Sequence, residues 1–202
     1  MNKLVLASNN PGKLKEIRAL LAPLAIEVVT QAERGIGEAE EPHHTFLENA
    51  LAKARHASAA AGLPALADDS GICVDALGGE PGVHSAYYAG REGGREARDA
   101  RNNARLLEAL QNAADRRAHY YCVLVLLRSA GDPQPIVAEG AWHGEIAHAA
   151  RGGGGFGYDP LFLVPGTGRT AAELAAAEKN RVSHRGRALA ALAARLRNED
   201  RA

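Results

Sequence analysis

A strand, a loop, a helix and a second strand follow one another at the start of the chain, and this order limits the fold more than any other feature. Leu4, Val5, Leu6 and Ala7 make a short buried-strand run, and the next six residues, Ser8, Asn9, Asn10, Pro11, Gly12 and Lys13, oppose both helix and strand. Beyond them Leu14, Ile17, Leu20 and Leu21 recur at helical spacing, Pro23 stops the pattern, and Ile26, Val28, Val29 and Thr30 open a second strand. Strands that alternate with helices imply a sheet at least partly parallel, whose ligands lie outside the carboxyl ends of the strands. The loop 8–13 falls at such an end.

Further along, an acidic irregular stretch containing Glu38, Glu40, Glu41, Pro42, His43 and His44 leads to an Ala-rich helix, with Thr45 as N-cap, Glu48 three residues on, and an end near Gly62. Asp68, Asp69, Ser70 and Gly71 read as an acidic turn between two short strands, 65–67 and 72–74. A Gly-rich loop, 78–94, leads to a helix around 103–111; the run 119–127 reads as a central strand and 136–146 as its partner. A glycine-rich segment, 152–160, precedes a short strand at 161–164. Thr170 and Glu173 repeat the capping-box pattern at the head of an Ala-rich helix, and a last helix begins near Ser183 with Leu189, Leu192 and Leu196 along one face. The second half is richer in antiparallel-type strands and is expected to form a lobe opposite the first. The expectation is an α/β fold, a two-lobed mixed β-sheet with flanking helices and a central substrate cleft, all in one domain over 1–202.

Composition narrows the function. The 202 residues carry 24 Lys plus Arg and 24 Asp plus Glu, so zero net charge leaves no global field for nucleic acid or anionic membrane. No apolar run approaches the ~18 to 20 residues that cross a bilayer, and the opening apolar stretch is too short for a signal peptide, which favours a cytoplasmic location. Cys73 and Cys122 sit in apolar runs without metal-ligand spacing and read as buried thiols.

Chemistry concentrates in a few places. Residues 8–13 offer backbone amides, small polar side chains and a lysine at the mouth of a helix, an arrangement that holds phosphate and that also serves as a plain strand-to-helix turn. Ala7 and Leu14 stand where a Walker loop needs glycine and Ser or Thr, which disfavours a P-loop NTPase. Asp68 and Asp69 interrupt a strongly apolar stretch; in an extended segment they point to opposite faces, so one of them enters a given cleft. Glu40 and Glu41 are the natural second carboxylate source, and Glu41 with Asp69 would suit Mg²⁺, which takes one or two carboxylates and completes its shell with phosphate oxygens and water. A solvated acidic loop is the rival reading. Phe156, Gly157, Tyr158 and Asp159 lie among glycines that let a ligand approach the backbone, and an aromatic ring there suits a flat base. Lys179, His184 and Arg185, with Lys13 and Lys53, supply cations for a polyanion. The histidines lack a zinc-enzyme pattern, and no nucleophile elbow supports covalent catalysis.

Taken in order, Ser8-Asn9-Asn10-Pro11-Gly12-Lys13, Thr45-Phe46-Leu47-Glu48-Asn49-Ala50, Ala67-Asp68-Asp69-Ser70-Gly71, Phe156-Gly157-Tyr158-Asp159-Pro160 and Ser183-His184-Arg185-Gly186 resemble the inosine/xanthosine triphosphate pyrophosphatase family over nearly the full length. The resemblance implies hydrolysis of ITP, dITP and XTP to monophosphate and pyrophosphate, a Mg²⁺ requirement, and a cytoplasmic homodimer. It places triphosphate contacts on Ser8 to Lys13, a catalytic and metal-binding aspartate on Asp69, substrate contact on Ser70, and base and sugar contacts on Phe156, Gly157, Tyr158, Asp159, Lys179, His184 and Arg185. Its metal-ligand glutamate matches Glu41, with Glu40 the fallback; Pro42-His43 stands where similar proteins carry Thr-Gly or Asp-Gly. A non-hydrolytic purine-nucleotide-binding module is the alternative, and it would need no paired carboxylates. An RNA-binding role is disfavoured by zero net charge and 4% aromatics.

Overall fold

The computed structural model describes residues 2–24 and 26–199, with the side chains of Leu20, Leu24, Asn198 and Glu199 outside the described set. β1 (Lys3–Ala7), α1 (Pro11–Leu21) and β2 (Glu27–Thr30) form the opening alternation. β2 pairs in parallel with one side of β1, Leu6 opposite Thr30, and β3 (Ala65–Val74) pairs in parallel with the other, Ala7 opposite Ala67. Successive strands therefore leave β1 in opposite directions, and residues 8–13 emerge at the crevice that such a switch point opens.

α2 (Phe46–Ala61) lies between β2 and β3. The hydroxyl of Thr45 accepts the Glu48 amide at 3.2 Å and donates to Glu48 Oε2 at 2.6 Å, while Gly62 closes the helix in the left-handed region at φ 63°. α3 (Arg95–Ala109), β4 (Arg117–Leu127), β5 (Ile136–Ile146), β6 (Phe162–Leu163), α4 (Ala176–Val182) and α5 (His184–Glu199) follow. Among the described residues the strands form one six-stranded mixed sheet, β2-β1-β3-β4-β5-β6, with β6 antiparallel to β5. The α/β class, the mixed sheet and the flanking helices agree with the sequence. No described helix is long and apolar enough to cross a membrane.

The chain divides into two compact units, each with its own core. The first comprises the residues up to Asp69, Cys122–Gly140 and those from His184 on. Its core joins Leu4, Leu6 and Leu66 of the strands to Ile17 of α1 and Leu189 and Leu192 of α5. A Cβ on Gly140 would overlap the His184 carbonyl, so this strand position admits the head of α5 only because it lacks a side chain. The second unit comprises Ser70–Tyr121 and Ala141–Ser183, and packs Leu106 of α3 and Leu110 just beyond it with Trp142, Tyr158 and Phe162.

Four expectations need correction. The lobes are not sequence halves: strands β3, β4 and β5 each contribute to both units, so the units interleave. Asp68 to Gly71 is no turn but the middle of the ten-residue strand β3. An extended backbone survives there because cations from other elements compensate the buried carboxylates. α3 starts at Arg95, well before 103: arginine is a good helix former, and the long side chains of this first part also reach back to the preceding loop. Arg98 donates to the Gly93 carbonyl at 2.9 Å, Arg101 and Arg105 donate to the Glu92 and Tyr88 carbonyls, and Arg105 lies 4.4 Å from the Tyr88 ring centre. The Thr170–Glu173 capping box is real, but it caps a single 3₁₀ turn, Ala171–Glu173. Leu174 and Ala175 are extended, ψ 145° each, and separate that turn from α4.

Candidate active site

In the first unit the loop after β1 turns directly into α1. Asn10 is the N-cap, its Oδ1 accepting the Lys13 amide at 3.1 Å, and Pro11 occupies the first turn, where its missing N–H costs nothing. The Ser8 hydroxyl accepts the Asn10 amide at 3.3 Å, and Asn9 donates to Glu38 Oε1 at 3.1 Å. The Asn10 and Lys13 amides are thus taken up by the loop's own side chains, so what this helix start offers an anion is its dipole and the Lys13 ammonium.

β3 brings two aspartates to this region on opposite faces of the pleat. Asp68 meets Lys13 Nζ of α1 at 2.6 Å, Arg185 Nε of α5 at 3.2 Å and the Cys122 thiol at 3.5 Å. Burial alone would raise its pKa, but Lys13, Arg185 and Lys53 outweigh burial and hold the carboxyl far below the usual carboxylate range. Arg185, 2% exposed, also pairs with Glu16 of α1. Asp68 is thus a fixed anion that anchors Lys13. The Cys122 thiol is driven upward by burial and by Asp68, so it stays protonated, and neither cysteine forms a disulfide.

Asp69 faces α2. Lys53 Nζ lies 2.8 Å from Asp69 Oδ1 and 2.9 Å from Glu41 Oε1, so one ammonium joins the two carboxylates that the sequence singled out as a metal pair. Burial pushes the Asp69 carboxyl upward; Lys53 and Lys13 oppose it, Glu41 adds to it, and the net direction is up. Lys53 is buried too, yet Asp69, Glu41 and Asp68 together overcome burial and raise it. The directions are compatible because three carboxylates share this lysine, so it gains more from them than Asp69 gains from it. Adjacent aspartates therefore end up driven apart in acidity, the pattern that separates a structural anion from a base.

Glu41, and not Glu40, makes this ion pair, although both are exposed. Asn49 of α2 explains why Pro42-His43 is tolerated: its side chain accepts the His43 amide at 3.1 Å and donates to the His43 carbonyl at 3.2 Å. The clamp grips backbone and is indifferent to the side chain at 43.

Metal binding can be tested against the donors present. Asp69 Oδ2 is a buried oxygen without a hydrogen-bond partner, and Glu41 keeps a side chain that is 41% exposed. Among the described residues no cluster of three or more His, Cys, Asp or Glu side chains forms a metal cage. Two carboxylates with an open remainder fit Mg²⁺ and do not fit a structural zinc or an all-protein calcium site.

The second unit holds the glycine-flanked loop, and it is no flexible linker. Asp159 Oδ2 accepts Lys179 Nζ at 2.6 Å and the Phe156 amide at 2.8 Å, while Oδ1 accepts the Tyr120 hydroxyl at 3.3 Å. Tyr158 is buried and donates to the Ser85 carbonyl at 2.8 Å; burial pushes its phenol upward, so it remains a donor. Arg95 and Lys179 each lie 4.7 Å from the Phe156 ring centre. Of the expected recognition residues, Phe156, Gly157, Tyr158, Asp159 and Lys179 are brought together here, and Ser70 is half-buried in β3. His184 and Arg185 instead belong to the first unit, where Arg185 orients Asp68.

Sequence reasoning missed Glu16, Asn49, Asp99 and Asn103. Glu16 stands three residues after Lys13 on α1, and Asp99 and Asn103 stand four apart on α3; those spacings mark shared helix faces but do not say what the faces meet.

Residues 4–195 match the Ham1 family. The chain is 68% identical over 197 residues to a dITP/XTP pyrophosphatase of Ralstonia nicotianae, covering 98% of each, and 65% identical over 192 residues to a dITP/XTP pyrophosphatase of Nitrosomonas europaea, covering 95% of this chain and 93% of that one. A HAM1 protein from Coxiella burnetii superposes with a TM-score of 0.90 at 48% identity, covering 98% of this chain and 100% of that one. With sequence and backbone superposition agreeing over nearly the whole length, the chain belongs to the Ham1 family.

Proposed function

We propose that this chain hydrolyses non-standard purine nucleoside triphosphates, dITP, ITP and XTP, to the nucleoside monophosphate and pyrophosphate. The carrying observation is the Asp69–Lys53–Glu41 group beside the Lys13 helix start, in a chain 68% identical to a relative named for that reaction. Residues 8–13 and Lys53 take the triphosphate, with Ser70 contacting substrate next to the base. Phe156, Gly157, Tyr158, Asp159 and Lys179 take the purine and sugar. His184 and Arg185 stay with substrate recognition, Arg185 through Asp68 and Lys13.

Chemically, a water oxygen attacks the α-phosphorus as the bond from that phosphorus to the β-bridging oxygen breaks, and pyrophosphate leaves with the bonding pair. Asp69 accepts the proton that the water loses, its Oδ2 being the carboxylate oxygen that Lys53 leaves open. Glu41 and Asp69 are the residues that would hold Mg²⁺, which when bound neutralises charge on the phosphate oxygens. Lys13 and Lys53 hold the phosphates in line, so positioning and charge supply much of the rate. Selectivity follows from buried polar groups that a 6-oxo purine satisfies and adenine leaves unpaired, a mismatch that can cost ~10⁴ to 10⁵.

The test is a panel of nucleoside triphosphates with Mg²⁺ and with chelator, scoring monophosphate and pyrophosphate against diphosphate and phosphate. Pyrophosphate release that favours dITP and XTP over dATP and dGTP is expected; binding without cleavage would replace this reading with a nucleotide-binding module. A cytoplasmic homodimer, suggested by the family resemblance, is part of the same proposal and is checked by sedimentation.

A further inference from the structure

We propose that Asp99 and Asn103 of α3 form a clamp on the backbone of Gly157 and thereby act as positioning residues for purine recognition by Phe156, an inference that rests on the pyrophosphatase reading. Asp99 Oδ2 accepts the Gly157 amide at 2.9 Å, and Asn103 Nδ2 donates to the Gly157 carbonyl at 3.0 Å. The four-residue spacing puts both side chains on one helix face, so a rigid helix grips the N–H and the C=O of a single loop residue. Neither group belongs to a sheet or helix ladder, and a loop crowded with glycines has few side chains to fix it.

The grip is transmitted to the ring. Gly157 sits in the left-handed region at φ 63°, and the amide of the preceding Phe156 is held by Asp159. Phe156 is thus pinned from its N-terminal side by Asp159 and from its C-terminal side by α3. Asp99 also steadies the cation beside the ring: Arg95 Nε lies 3.8 Å from Asp99 Oδ2, and the Arg95 guanidinium lies 4.7 Å from the Phe156 ring centre. One carboxylate therefore sets both the backbone that carries the ring and the charge against its face.

Such a support acts by preorganisation. A loop released from α3 must be ordered when substrate binds, and that cost weakens binding without touching the proton acceptor or the phosphate ligands. The signature is a rise in KM with kcat kept, which a general loss of folded enzyme does not produce.

The experiment compares wild type, Asp99→Ala and Asp99→Asn, reading kcat and KM for dITP and dGTP together with hydrogen exchange of the peptide covering residues 152–159. For Asp99→Ala, KM for dITP is expected to rise about tenfold with kcat within about twofold, the dITP preference over dGTP to shrink, and exchange to quicken. Asp99→Asn keeps an oxygen that can accept the Gly157 amide, so its KM should stay within about threefold of wild type. Unchanged KM in Asp99→Ala, unchanged exchange, or a fall in kcat at constant KM would each overturn the role. If wild type releases no pyrophosphate from dITP, the pyrophosphatase reading fails by itself and takes the recognition role with it, while exchange still reports whether the clamp exists.

Discussion

Substituting Asp69 and Asp68 separately by asparagine should split function from stability at neighbouring positions. Asp69→Asn deletes the proton acceptor, and loss of a general base costs about 10² to 10⁴ in rate. The fold should respond less than at Asp68, because burial and Glu41 already outweigh Lys53 and Lys13 at this carboxyl, and Lys53 keeps Glu41 and Asp68 as partners when Asp69 is made neutral. A stability change within about 1 kcal/mol is expected. Asp68→Asn should act chiefly on stability, and on substrate only through Lys13. It leaves Lys13 and Arg185 facing a neutral amide at a site whose side chain is 0% exposed, and removing one partner of a buried pair costs ~3 to 5 kcal/mol. Glu16 still holds Arg185, which puts the loss near the lower bound, roughly 3 kcal/mol or 6–12 °C in Tm for a chain of this size. Asp68 is depressed in the folded state, so its contribution is present above its unfolded value and lost as pH falls through the folded one; Asp68→Asn should flatten that acid limb. Pyrophosphate release with dITP and thermal melts over pH read both variants. Turnover of Asp69→Asn within about tenfold of wild type, or equal melting of the two variants, would refute the division of roles.

Gly155→Ala should destabilise by about 1 to 3 kcal/mol and raise KM for dITP, since φ is +71° and a Cβ would overlap the Asp159 carboxylate that holds Lys179 and Phe156. Gly157→Ala, at φ +63° with open space around the Cβ, should cost only the backbone strain of ~1 to 2 kcal/mol; melts and initial rates compare the two. His119 is lowered by burial and by His143, whose ring centre is 5.3 Å away, with Asp75 opposing. The unfolded chain therefore takes up this proton first as pH falls below about 6.5, so stability declines in that window, and His119→Gln should shallow the decline in a Tm–pH series.

Much of the site was legible because its signals are local. The strand–loop–helix opening placed residues 8–13 at a carboxyl end, and the parallel pairing of β2 and β3 on either side of β1 made that end a switch point. The Thr45 cap and the 170–173 capping box followed from three-residue spacing, even though the latter closes only one turn. Where prediction missed, distant partners decided. A carboxylate pair in an apolar stretch reads as a turn until Lys13, Lys53 and Arg185 are known to surround it, and what the arginines at the start of α3 bind is unknown until the carbonyls of residues 88, 92 and 93 are seen to receive them.

The order of residues alone determined the alternating elements, the α/β class and which side chains carry reactive groups, since backbone propensity and hydrophobic period act over a few neighbours. Tertiary structure alone decided that Asp68 is a fixed anion and Asp69 a basic carboxylate, and that α3 grips Gly157. Both outcomes depend on charges and donors that sequence separates widely, and electrostatic energy depends on distance in space and on burial, which only the folded chain sets.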